Sequence, residues 1–176
     1  MELALRPKVP MYCWTGVPYV VALGVCDACE DLAILWPYGL VDAEGAEVAD
    51  VRVSVADGLV ARIEAAGERD LAQRAGEVEA AVRNRLSAWE DAIAAQGGAV
   101  AGPRAPLLND YVDRVRGFGR RVQVVFPNGR VAAEGAFAGL DVWGRATIRL
   151  DGGRELEVAP EQASLRLAQQ AARPSR

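Results

Sequence analysis

Histidine does not occur in these 176 residues, and lysine occurs once, at Lys8. The commonest general base and metal-binding side chain is therefore missing. The thiols are Cys13, Cys26 and Cys29. Cys26 and Cys29 form a Cys-x-x-Cys, but no second pair completes a four-ligand zinc site. On a helix they share one face at i,i+3 and read as small apolar residues packed there. Glu134 and Asp141 flank separate turns, so they do not make a carboxylate pair. Asp110 and Asp113 read as the solvated face of a short helix. No catalytic set and no metal-ligand set is assigned. The stretch most able to shape a site is Ala33 to Asp42, AILWPYGLVD, where an apolar run meets Trp36-Pro37 and breaks at Tyr38-Gly39. Trp36, Pro37, Tyr38, Gly39 and Arg52 are the candidate ligand-binding residues. Arg6 and Arg52 are the nearest cations; surface charge is the default fate of each.

The elements that must position these residues follow from periodicity. Glu2 to Arg6 alternates and stops at Pro7, which predicts a short strand. Thr15 is the expected cap of a helix starting near Val17-Pro18, with proline in the first turn where its missing N–H is harmless. Val21, Leu23, Val25, Cys26 and Cys29 make that helix apolar on more than one side. Leu32 to Trp36 and Gly39 to Val41 predict two strands around a kink, and Asp42 to Gly45 a turn. Val48, Val51, Val53 and Val55 predict a half-buried strand. Asp57-Gly58 is a hairpin turn, with Leu59 to Ile63 returning. From Leu71 to Ile93, apolar residues at three- and four-residue steps predict a long amphipathic helix. Its charges Glu77, Glu79, Arg83, Arg85 and Glu90 read as a solvated face. Gln96 to Pro106 is rich in helix breakers. A short helix over Leu107 to Val115 should turn Leu107, Leu108, Tyr111, Val112 and Val115 inward. From Gly119 the period becomes two, and four or five short strands to Leu167 predict a small barrel.

Half of the residues are hydrophobic (51%), enough for a substantial core. A formal charge of −4, with no basic tract, argues against general nucleic-acid binding. An odd number of cysteines fits a reducing cytoplasm better than a disulfide scaffold. No signal peptide is visible, and Val17 to Val25 is too short to span a membrane.

Gly119 to Leu167, GRRVQVVFPNGRVAAEGAFAGLDVWGRATIRLDGGRELEVAPEQASLRL, resembles the C-terminal SH3-like domain of biotin protein ligases. Upstream, ELALRPKVP resembles the family's central strand ending in Arg-Pro, and VPYVVALGVCDACE the helix after it. LWPYGLV sits where the family writes Lys-Trp-Pro-Asn-Asp, and GAEVADVRVS where it writes Gly-x-Lys-Leu-Ala-Gly-Ile-Leu-x-Glu. The resemblance covers nearly the whole chain. It implies an α+β fold: a partial biotin/lipoate-ligase-like mixed sheet with helices over residues 1–116, an SH3-like barrel over 117–168, and a disordered tail over 169–176.

The family's site residues carry over only as Trp36 and Pro37. Leu35, Tyr38 and Gly39 occupy the places of the lysine and the two polar residues that shape the biotin and nucleotide pocket. The family's second lysine, which meets the reacting carboxylate and phosphate, falls on Glu47, turning attraction into repulsion. No Gly-Arg-Gly-Arg adenylate loop occurs before residue 15, so the chain reads as N-terminally truncated. The resemblance therefore implies a degenerate biotin protein ligase-like protein with a binding or regulatory role. A split form would draw the missing loop from a partner subunit, or self-associate as a dimer, through an exposed sheet edge. The alternatives are an active ligase using biotin, ATP and Mg and labelling a biotin carboxyl carrier protein, or a barrel adaptor for peptide or nucleic acid carried by Arg120, Arg121, Arg130, Arg145, Arg149 and Arg154.

Overall fold

A computed structural model describes residues 1–56, 58–65, 71–96 and 102–168. Contacts within it divide the chain into two units, Met1–Arg116 with Val142–Gly144, and Gly117–Asp141 with Arg145–Arg176. Each contains a sheet, and among the described residues three α-helices lie in the first, so the fold is α+β.

The first unit carries a six-stranded sheet in the order β1-β5-β4-β3-β2-β6. Its strands are β1 (Glu2–Leu5), β2 (Ala33–Leu35), β3 (Gly39–Val41), β4 (Glu47–Ala56), β5 (Gly58–Ala65) and β6 (Val115–Arg116). All neighbours are antiparallel except β2 and β6. The alternation expected in β4 is only partly kept. Val41 pairs with Glu47 while Leu40 pairs with Ala49, so β4 bulges by one residue and buries Val48 and Ala49 side by side. Beyond Val51 the inward face thins out, and Val55 is 70% exposed. The Asp57 half of the expected hairpin turn lies outside the described residues. Gly58 follows with φ of 118°, a conformation glycine adopts without a Cβ penalty.

Helix α1 (Val17–Ala28) is buried from Val17 to Cys26 at all but Pro18, because it packs on α2, α3 and β4 together. Thr15 does not cap it. Met11–Gly16 forms a 3-10 turn that feeds straight into the helix, and Gly16 takes the cap position without a side-chain bond. An alanine Cβ at Gly16 would meet the Trp89 ring at 2.8 Å, which is why so small a residue stands there. Helix α2 (Ala75–Ala95) follows a 3-10 turn at Leu71–Arg74 and buries Val78, Val82, Leu86 and Trp89. Those residues recur at four- and three-residue steps, the stripe its sequence predicts. Its polar face does more than meet water. Arg85 donates to both Asp27 oxygens at 2.9 Å and to Asp110, so Arg85 and Asp110 tie three helices together instead of being merely solvated. Helix α3 (Leu108–Arg114) buries Tyr111, with Leu107 and Val115 just outside its ends. Val112, expected inside, is 38% exposed, since seven residues give only two turns and one inward row.

The second unit is a five-stranded antiparallel sheet in the order β10-β9-β8-β7-β11. The strands are β7 (Arg121–Val125), β8 (Val131–Leu140), β9 (Ala146–Leu150), β10 (Glu155–Val158) and β11 (Ser164–Leu167). Val122, Val124, Phe137, Ile148 and Leu165 are among its buried side chains. Phe118 stacks on Phe137 with centroids 4.5 Å apart. Across β7 and β8, Arg121 donates to Glu134 at 2.6 Å and to Asp151 at 2.8 and 3.0 Å. Those bonds hold both carboxyls below their ordinary range. The tail over 169–176 lies outside the described residues.

Candidate functional site

The β2–β3 hairpin brings Trp36, Pro37, Tyr38 and Gly39 together, as their adjacency in sequence requires, and the Trp36-Pro37 peptide bond is cis. Trp36 is 0% exposed. Its indole Nε1 donates to the Gly144 carbonyl at 2.8 Å, across 108 residues of chain. The Pro37 carbonyl accepts the Tyr111 hydroxyl at 2.5 Å. The Tyr38 ring stands edge-on to Tyr19 at 5.5 Å, and Tyr19 edge-on to Tyr111 at 4.9 Å, the arrangement ring quadrupoles favour. The Arg104 guanidinium lies over the Tyr19 ring, 4.9 Å from its centroid, and donates to the Trp143 carbonyl.

Gly144 is required by this closure. Its φ is +75°, and a Cβ there would meet the Tyr19 hydroxyl at 2.8 Å and Arg104 Cδ at 3.1 Å. Leu35, where the resemblance expects a lysine, is 4% exposed and pairs with Gly39 in β3 and Arg116 in β6. The hairpin is therefore enclosed by aromatic rings and aliphatic side chains.

Among the described residues no polar or charged side chain is classed as buried, and no cluster of metal-ligating residues occurs. Burial holds two ionisable groups here in their neutral form, Tyr111 and Cys26. Burial raises the Tyr111 phenol well above its ordinary range, with Tyr19 and Tyr38 adding to the effect. Burial also raises the Cys26 thiol from 9.0 to about 12, so it is a poor nucleophile at neutral pH.

Arg52 is not gathered into this group. Its Nε lies 3.3 Å from Asp50 and 3.4 Å from Glu64, with its side chain 65% exposed. Arg6 is also exposed. Glu47 stands exposed at the start of β4. At 4 Å in water a like-charge contact is worth only about 1 kcal/mol, far less than in a dry site. The repulsion expected of Glu47 is thus weakened by solvent. Sequence reasoning missed Tyr19, Tyr111, Arg104 and Gly144. Tyr111 carried a signal in its inward position on α3; the others carried none, because their role depends on distant partners.

The sequence matches no protein-family model and no curated protein. Solved structures match it in fold. The biotin protein ligase from Aquifex aeolicus aligns with a TM-score of 0.67 at 20% identity, over 95% of this chain and 81% of that one. A structure of the Aquifex aeolicus ligase in complex with biotin and ATP aligns with a TM-score of 0.67 at 17% identity, over 95% and 77%. Its apo structure gives 0.65 at 20% identity, over 95% and 81%. The chain therefore has a biotin protein ligase-like fold over nearly its whole length.

Proposed function

We propose that this chain is a degenerate biotin protein ligase-like protein that acts by binding or regulation and does not form an adenylate itself. The observation that carries the reading is Trp36, sealed at 0% exposure by the Gly144 carbonyl. In the ligase fold that tryptophan sits beside the vitamin site, as the resemblance of LWPYGLV implies. Adenylation brings a carboxylate against a phosphate, which demands cations in a water-free site. Leu35, Tyr38 and the rings of Tyr19 and Tyr111 supply none.

Titration of biotin and of biotinyl-adenylate into the full chain by calorimetry tests this. The expected result is no saturable heat from either. A second arm incubates the chain with ATP, Mg, biotin and a biotin carboxyl carrier domain and expects no labelled lysine. Labelling by the purified chain overturns the reading in favour of an active ligase. That alternative is supported by the fold shared with an enzyme solved with biotin and ATP. A barrel adaptor is favoured less. Arg121, Arg145 and Arg149 each pair with carboxylates, which lowers the basic character of the second unit. The five antiparallel strands of that unit support the SH3-like reading.

The proposal extends to partners and place. β1 is an edge strand of the six-stranded sheet and offers backbone groups to a partner subunit or a second copy. Among the described residues no helix is long and apolar enough to cross a membrane. The three thiols are free and buried, which suits a reducing cytoplasm.

A further inference from the structure

An open cleft of about 340 Å³ lies in the first unit, next to the enclosed hairpin but not part of it. Tyr12, Thr15, Pro103, Arg104, Val142 and Trp143 line it. Three of these are large apolar side chains left in water: Tyr12 at 62% exposure, Trp143 at 52% and Val142 at 46%, with Met11 beside them at 71%. Clustered exposure of this kind usually marks a binding surface.

The wall is fixed in advance. The Trp143 ring packs on Gly102, where an added Cβ would come 3.0 Å from Cζ3 and 3.3 Å from Cε3. The Trp143 carbonyl accepts from Arg104, and the next carbonyl, of Gly144, accepts from Trp36 at 2.8 Å. Arg104 is itself steadied over the Tyr19 ring. A tryptophan whose own carbonyl and the next one are both held loses little freedom when a ligand arrives. Among the described lining residues Arg104 is the one charged at neutral pH and none is a carboxylate. The cleft thus combines aromatic side chains with a guanidinium. The volume is at the small end of the range of about 300–1,000 Å³ for small-molecule sites.

We propose that this cleft binds a small, flat organic carboxylate, with its ring system against Tyr12 and Trp143 and its anionic end toward Arg104. The site goes beyond the reading of the hairpin and stands whether or not that hairpin accepts biotin, because the two share only their supporting residues.

The test titrates 2-naphthoate, and its neutral isostere 2-naphthamide, into the full chain and follows them by calorimetry and ligand-observed NMR. The expected result is saturable one-to-one binding of naphthoate, with naphthamide weaker by about tenfold. Tyr12→Ala, a change at an exposed ring, should leave the melting temperature unchanged and weaken naphthoate by about tenfold. No saturable binding, equal affinity for acid and amide, or an unaltered affinity in Tyr12→Ala would each overturn the proposal.

Discussion

Trp36 and Tyr111 close the hairpin by donating to carbonyls that have no access to bulk water. Trp36→Phe keeps most of the ring but removes the donor to Gly144. Leaving a buried acceptor unmet costs about 1–3 kcal/mol, and chemical denaturation should show a loss of that size. Tyr111→Phe removes the donor to Pro37 and should fall in the same range. An unchanged midpoint in both variants would show that water replaces the lost donors. At this scale the Trp36-Pro37 step was legible, since a tryptophan at a strand end followed by a break stands out locally. Its acceptor was not, because nothing in DVWG says which of its carbonyls faces a ring from another part of the chain. The exposure of Glu47 was hidden for a related reason: its charge is legible in the sequence, but its place on the sheet surface is set by the bulge that begins β4.

Helices α1 and α2 approach through Gly24. A Cβ there would lie 2.7 Å from Val82 Cα and 2.8 Å from Val82 Cγ2. The nearer atom is backbone, so no rotamer change relieves the clash. Gly24→Ala should destabilise the chain by about 1–3 kcal/mol despite alanine's better helix propensity. Trimming the side chain in Gly24→Ala/Val82→Ala should recover only part of the loss; full recovery would mean the helices slide apart freely. Most elements were legible, because their burial follows one period each. The stripe Val78, Val82, Leu86, Trp89 is an example. The errors came where two constraints competed. Met11–Gly16 winds as a 3-10 turn before α1, so Thr15 never reaches the cap. Arg85 and Asp110 look like solvated charges on separate helices until packing sets them face to face.

For the molecule as a whole, alkaline pH opposes folding. Cys26 and Tyr111 both hold their protons more tightly when folded, chiefly through burial. A group with a raised folded pKa contributes fully below its unfolded value and loses that contribution as pH rises through the folded one. For Cys26 the window runs from 9.0 to about 12. Each such group can remove up to about 1.4 kcal/mol per pH unit there. The denaturation midpoint should therefore fall steadily as pH is raised above about 9; a flat profile would contradict the burial of both groups. A second prediction concerns chain length. A fragment ending at Arg116 lacks Val142–Gly144, which belong to the first unit. It should melt below the full chain, with tryptophan emission shifted to the red as Trp36 meets water. Identical melting and emission would show that the Gly144 carbonyl is dispensable.

The acceptor for Trp36 is made 108 residues after the indole itself. At rates of synthesis of about 5–20 residues per second, the nascent chain carries that tryptophan without its seal for roughly 5–20 s. Until then the ribosome displays an unfinished aromatic hairpin, open to chaperones.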